Sequence, residues 1–100
     1  MSLRDIITSF LFGRPAPLTR WQLENQLAAK AAQNPEKLDW RNSIVDLLKL
    51  IGMDSSLMAR KALALRFGYG GSMADSAAMN IWLHQKVMDN LAANDGVVNL

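Results

Sequence analysis

Apolar residues recur at helical spacing along most of the chain, and the pattern is strongest in residues 38–69. It predicts two amphipathic helices, over residues 40–51 and 55–67, joined by a turn at Gly52-Met53-Asp54. The first of them has a wide apolar stripe, made of Trp40, Ile44, Leu47, Leu48 and Ile51. These two helices are the expected centre of the fold.

Residues that favour helix ends flank both segments. Asp39 and Asp54 are the predicted N-caps, because their side chains can accept hydrogen bonds from the first-turn amides. Gly52 and Gly68 are placed to end the helices in the left-handed conformation.

The helix over residues 55–67 is apolar on two opposite sides. One side is predicted to face the core and carries Leu57, Leu63, Ala64 and Phe67, with Arg60 among them. The guanidinium of Arg60 needs a carboxylate or several carbonyls there, and a structural ion pair is favoured over a ligand-binding role. Met58, Ala62 and Leu65 lie nearly opposite and form a candidate protein-contact surface, either homodimeric or for an unknown partner.

A helix is predicted on each side of this pair. Thr19 and Gln22 make a capping-box pattern for a helix that ends near Gln33. The last helix, over residues 76–93, is capped by Ser72 or Asp75, and Trp82 on it is a candidate partner anchor. Its predicted inner stripe consists of Ala77, Ile81, His84, Met88 and Leu91.

The N-terminal segment predicts a short amphipathic helix separated by a proline-containing linker. Its apolar face is formed by Leu3, Ile6, Ile7, Phe10 and Leu11, and Pro15 and Pro17 break the helix after it. We therefore divide the chain into an N-terminal segment with its linker, residues 1–17, and a helical domain, residues 18–100. The segment either folds back on the domain or anchors the protein to a membrane surface or a partner.

Composition supports an all-α fold, which we predict to be a small bundle of four main helices. It also argues against a polyanion, a cofactor or a metal ion as a partner. Ala, Leu and Met are abundant, and a net charge of +2 on 100 residues is too small to indicate a polyanion partner. There is no cysteine, and no cofactor or metal is expected. The N-terminal segment is too short to span a bilayer and makes a poor signal peptide, so a cytoplasmic location is expected, either free or peripheral to the membrane.

No set of residues indicates an enzyme. His84 is the only histidine. It has no nucleophile or orienting carboxylate at a recognisable spacing, so we expect it to be a partly buried side chain bonded to Asn80 or a carbonyl. A DNA-binding helix-turn-helix is a weaker alternative, because apolar residues cover too much of the would-be reading helix.

Two sequence runs carry a resemblance to a known family. They lie within residues 38–96 and read LDWRNSIVDLLKLIGMDSSLMARKALALRFGY and DSAAMNIWLHQKVMDNLAANDG. Both runs are similar to the bacterial family of unknown function DUF3597. The resemblance implies no activity. That family tends to carry charged residues, which suit solvent, at the places of Ala62 and Leu65. Their apolar replacement in this chain supports the hypothesis of a protein-contact surface. The expected function is therefore a non-enzymatic protein-interaction or adaptor module.

Overall fold

In the computed structural model, residues 17–100 are described, and this part of the chain is all-α. It contains four helices: α1 Arg20–Ala32, α2 Ile44–Leu50, α3 Leu57–Arg66 and α4 Ser76–Ala93. The predicted fold class is confirmed. The predicted N-terminal helix, with Leu3, Ile6, Ile7, Phe10 and Leu11, lies outside the described residues.

Helix α1 begins at the predicted capping box. The Thr19 hydroxyl accepts a hydrogen bond from the Gln22 amide at 3.1 Å, and the Gln22 side chain accepts one from the Thr19 amide at 2.9 Å. Leu23 and Leu27 are buried, so α1 covers one edge of the core through a narrow stripe. The exposed remainder includes Trp21, which is 73% exposed.

Helices α2 and α3 begin later than predicted, and both predicted N-caps were wrong. The N-caps are Ser43 and Ser56, whose hydroxyls accept from the amides of Asp46 and Ala59. Asp39 is used instead in a turn, where its carbonyl accepts from the amides of Asn42 and Ser43. Aspartate and serine are both favoured N-cap residues, and each aspartate stands two to four residues before the serine that is used, so the pattern alone could not separate them.

The ends of α2 and α3 follow the glycine signals. Gly52 and Gly68 have φ values of 77° and 89°. After each glycine the next amide, from Met53 or Tyr69, donates to a carbonyl five residues earlier, which completes the Schellman arrangement. These two reversals fix the directions in which α3 and α4 leave.

Helix α4 packs against the other three helices and supplies the largest share of the core. The predicted inner stripe of α4 was right at Met88 and Leu91 and wrong at its N-terminal half. Ala77 and Ile81 are exposed, Ile81 by 76%, and the buried residues are Met79, Leu83, Val87, Met88 and Leu91. Apolar side chains surround much of α4, so helical spacing allowed two stripes, and packing selected the one that fills the space between α1, α2 and α3.

Candidate protein-interaction surface on α3

Helix α3 presents three apolar side chains to solvent along one line. Met58 is 82% exposed, Leu65 is 64% exposed, and Ala62 between them is also exposed. Their spacing of four and then three residues places them on one face of a helix. We call Met58, Ala62 and Leu65 the outer stripe.

The opposite side of α3 is already used by the fold. Leu63 and Ala64 are buried there, and Phe67 packs against the core. The outer stripe therefore does not compete for the core. It is an apolar face that the described part of the chain leaves open.

A shallow apolar depression adjoins the outer stripe. Its volume is about 340 Å³, and its lining residues are Met53, Ala59, Ala62, Leu63, Arg66 and Leu100. Ala62 belongs to both features, so the stripe and the depression form a continuous surface. We call the depression the α3 groove. A partner side chain could enter it while the partner backbone lies along the stripe.

Two cations bracket the outer stripe. Lys61 and Arg66 lie on its two opposite flanks, and α3 contains no acidic residue. The Arg66 guanidinium donates from Nη2 to the main-chain oxygen of Leu100 at 2.9 Å. Neither cation forms a salt bridge within residues 17–100, where the ion pair found is Lys49 with Glu36 at 3.6 Å.

Arg60 is the third cation of α3, and it points toward the protein. Its Nη1 donates to Asn80 Oδ1 at 2.6 Å, and its Nε donates to the Ser55 carbonyl at 3.1 Å. The favoured ion pair was wrong, since both acceptors are neutral carbonyl oxygens, one of the main chain and one of a side-chain amide, close to the alternative of several carbonyls. This arrangement ties the start of α3 to α4 and leaves Arg60 outside the candidate surface.

Trp82, the other predicted partner anchor, is half-buried. Its ring lies against Tyr69 with 5.0 Å between ring centroids, and Lys86 Nζ lies 5.4 Å from the Trp82 ring centroid. Both aromatic residues pack against the core. Trp82 therefore has a structural role that the outer stripe lacks, and its role as a partner anchor stays a prediction.

His84 is half-buried and is bonded to a carbonyl, as expected. Its Nε2 lies 2.7 Å from the Trp40 carbonyl oxygen, so Nε2 must be the protonated nitrogen that donates. Trp40 is buried in the core, also as expected. The contact joins α4 to the turn before α2.

Among the described residues, the ionisable groups were compared for shifted pKa values and for clusters that could bind a metal ion. The pKa of Asp54 is lowered from its ordinary value of 3.8, first by the hydrogen bond from the Ser56 amide and then by the Ser56 hydroxyl. Within residues 17–100, no group of three His, Cys, Asp or Glu side chains could hold a metal ion.

Also in this range, none of the helices has both the length and the hydropathy that crossing a membrane requires.

The sequence did not predict the α3 groove or a larger cavity beside it. The cavity has a volume of about 520 Å³ and is lined by Lys30, Ile51, Met53, Leu91, Gly96, Val97, Val98 and Leu100. Leu100 and Met53 line both features, and both lie in loops or tails outside the helices. The sequence did contain one signal for these features, the apolar tail residues Val97, Val98 and Leu100, because apolar residues after a helix end need a surface to pack on.

With this surface described, comparison with other proteins identifies the family. A family described as a domain of unknown function, DUF3597, matches residues 13–99. The chain belongs to the DUF3597 family. The match extends the resemblance seen in residues 38–96 to α1 and to the linker before it.

One solved structure is similar to this DUF3597 chain. It is the solution structure of a conserved unknown protein from Rhodopseudomonas palustris, with 55% sequence identity and a TM-score of 0.53. The similarity covers 77% of this chain and 56% of the other, so this chain spans little more than half the length of that protein. The chain matches no curated protein. These relatives assign no activity, so no residue gains a role from them.

Proposed function

We propose that this DUF3597 protein is a non-enzymatic interaction module that binds another protein through the outer stripe and the α3 groove. The observation that carries the proposal is the exposure of Met58 and Leu65 on a helix whose other side already fills the core. The proposal keeps the expectation of a cytoplasmic bacterial protein without a cofactor.

The energetics of apolar burial support this choice of surface. Covering a side chain such as Met58 or Leu65 completely is favourable by about 1.5–3 kcal/mol each. A partner side chain in the α3 groove would add a central, desolvated contact, which is where binding energy concentrates in interfaces.

A nucleic-acid partner fits this surface less well. Base edges in the major groove are read by polar side chains. The outward face of α3 has Met58, Ala62 and Leu65 at the positions where such side chains would be needed. For this reason α3 is not proposed as a DNA-reading helix.

The test is affinity capture by the full-length protein, compared with two single variants. Leu65→Glu places a charge on the outer stripe. Ile81→Glu is the matched control, because Ile81 is 76% exposed and lies on α4. Both variants should unfold at nearly the wild-type temperature. We expect Leu65→Glu to lose a captured protein that wild type and Ile81→Glu retain.

Two results would contradict the proposal. Equal capture by wild type and Leu65→Glu would show that the outer stripe is not the binding surface. Loss of capture in a Phe10→Glu variant, with Leu65→Glu unaffected, would move the function to the N-terminal segment. In that case, flotation of full-length protein with liposomes would test the membrane anchor predicted from Leu3, Ile6, Ile7, Phe10 and Leu11.

A further inference from the structure

The spacing of the outer stripe matches the contact positions of a coiled coil. In a heptad labelled a to g, the apolar seam alternates between steps of three and four residues. Met58, Ala62 and Leu65 then occupy positions d, a and d. The stripe is thus suited to receive another helix packed along it, with side chains interlocking as knobs in holes.

The same assignment gives the two cations a defined place. Lys61 falls at position g and Arg66 at the following e, the positions that flank the seam and contact the partner helix. Arg66 uses one N–H group on the main-chain oxygen of Leu100, and the guanidinium has further donors for a carboxylate. The flanks of the seam are therefore basic on both sides.

A second copy of this chain fits such a seam poorly. In a parallel pair, position g of one helix meets the next e of the other, which places Lys61 opposite Arg66 of the second copy. In an antiparallel pair, g meets g and e meets e, so like charges meet again. Like charges across an interface disfavour a partner, which counts against homodimerisation through α3.

We infer that the partner contributes an amphipathic helix with an apolar a/d seam and Asp or Glu at its flanking positions. The inference rests on the proposed function and specifies the class of partner. Ala62, the smallest residue of the stripe, lets the partner helix approach closely at its centre. A large apolar residue opposite Ala62 could then reach the adjoining α3 groove, whose wall includes Met53 and Leu100.

The test uses two synthetic helical peptides that share a leucine seam at a and d. One has Glu at every e and g position, and the other has Lys. Binding to full-length protein is measured by fluorescence anisotropy at low and high salt. We expect the Glu peptide to bind about tenfold more tightly at low salt, and the preference to shrink as salt screens the charges.

Charge reversal provides the decisive variant. Lys61→Glu with Arg66→Glu should invert the preference, so that the Lys peptide binds more tightly than the Glu peptide. The matched control is Arg20→Glu with Lys37→Glu, which makes the same change in net charge at two exposed positions outside α3. This control should retain the wild-type preference. If the control double variant also prefers the Lys peptide, the preference depends on overall charge and not on the flanks of the seam. That result would overturn the inference.

The outcomes separate this inference from the proposed function. If both peptides bind equally and Leu65→Glu abolishes binding of both, the outer stripe is an interface but the acidic partner is wrong. If neither peptide binds, the inference is overturned, and the capture experiment with Leu65→Glu decides separately whether the stripe binds any protein. A Glu peptide that binds Leu65→Glu as tightly as wild type would overturn it as well.

Discussion

At the scale of single residues, the contact between Arg60 and Asn80 replaces the ion pair expected from the sequence. An amide oxygen at 2.6 Å from the guanidinium compensates a half-buried charge without adding a second one. Hydrogen bonds to charged groups contribute more than neutral ones, and removing one partner leaves the other unsatisfied. The geometry also holds the beginning of α3 against α4.

Asn80→Ala tests this contact. We expect it to lower the free energy of unfolding by about 1–2 kcal/mol, because Arg60 loses an acceptor while alanine's better helix propensity offsets part of the cost. Chemical denaturation measures the difference. Gln85→Ala, at an exposed position of the same helix, is the control and should change stability by less than about 0.5 kcal/mol. Equal effects of the two variants would show that the contact contributes nothing.

Asp54 makes stability depend on pH in a defined direction. Its pKa is lowered in the folded protein by the amide and hydroxyl of Ser56, so folding favours the ionised carboxyl. A lowered folded-state pKa contributes stability above the unfolded-state pKa, and this stability is lost as pH falls through the folded-state value. The contribution should therefore be complete at neutral pH and be lost in strong acid, as pH falls below the ordinary value of 3.8 and through the lowered folded-state pKa.

The measurement compares thermal unfolding of wild type, Asp54→Ala and Asp54→Asn across that range. Asp54→Ala should be less stable than wild type at neutral pH, and this difference should shrink in strong acid, where wild type should approach the behaviour of Asp54→Asn. Asp54→Asn keeps an oxygen acceptor for the Ser56 amide without a titrating group, so its own stability should not show this step. A constant difference between wild type and Asp54→Ala at every pH would contradict the assignment.

At the scale of elements, local sequence signals predicted where helices terminate better than which of their faces is buried. Gly52 and Gly68 end α2 and α3 because their backbone geometry strongly favours glycine, and the capping box at Thr19 starts α1. The starts of α2 and α3 were missed because an aspartate and a serine, both favoured N-cap residues, stand close together in each case. The choice between them is decided by the turn that the rest of the chain imposes.

The face of α4 that enters the core could not be predicted from its own sequence. Ile81 and Leu83 are equally apolar, yet Ile81 is 76% exposed and Leu83 is fully buried. The difference comes from where α1, α2 and α3 meet the helix. On α3 the outer stripe could be predicted, because its two apolar sides are separated and only one can face the core. The α3 groove could not, since its wall includes the distant Leu100.

Paired alanine substitutions test the register of α4. Leu83→Ala should lower the free energy of unfolding by about 2–5 kcal/mol, because it leaves a cavity in the core. Ile81→Ala removes a side chain of the same size from solvent and should change stability by less than about 0.5 kcal/mol. Denaturant unfolding of both proteins gives the comparison. A larger loss for Ile81→Ala would restore the stripe predicted from the sequence.

At the scale of the whole molecule, we expect the basic flanks of the outer stripe to disfavour pairing between copies of the protein. The net charge of +2 is small, so self-repulsion must come from where charges lie. With Lys61 and Arg66 at the flanks, parallel pairing of two α3 helices brings cations together on both sides of the seam. The wild-type protein should therefore not self-associate through α3.

A single charge reversal should change this behaviour more than a double one. Lys61→Glu places a glutamate opposite Arg66 of a second copy on both sides of a parallel pair, so self-association should increase. Adding Arg66→Glu makes the flanks alike again, now acidic, and should return the protein to the monomer. Sedimentation equilibrium at high protein concentration and low salt measures all three proteins. Self-association that increases steadily from wild type through the single to the double variant would indicate a general effect of lost positive charge, and the helix-to-helix geometry assigned to the outer stripe would be wrong.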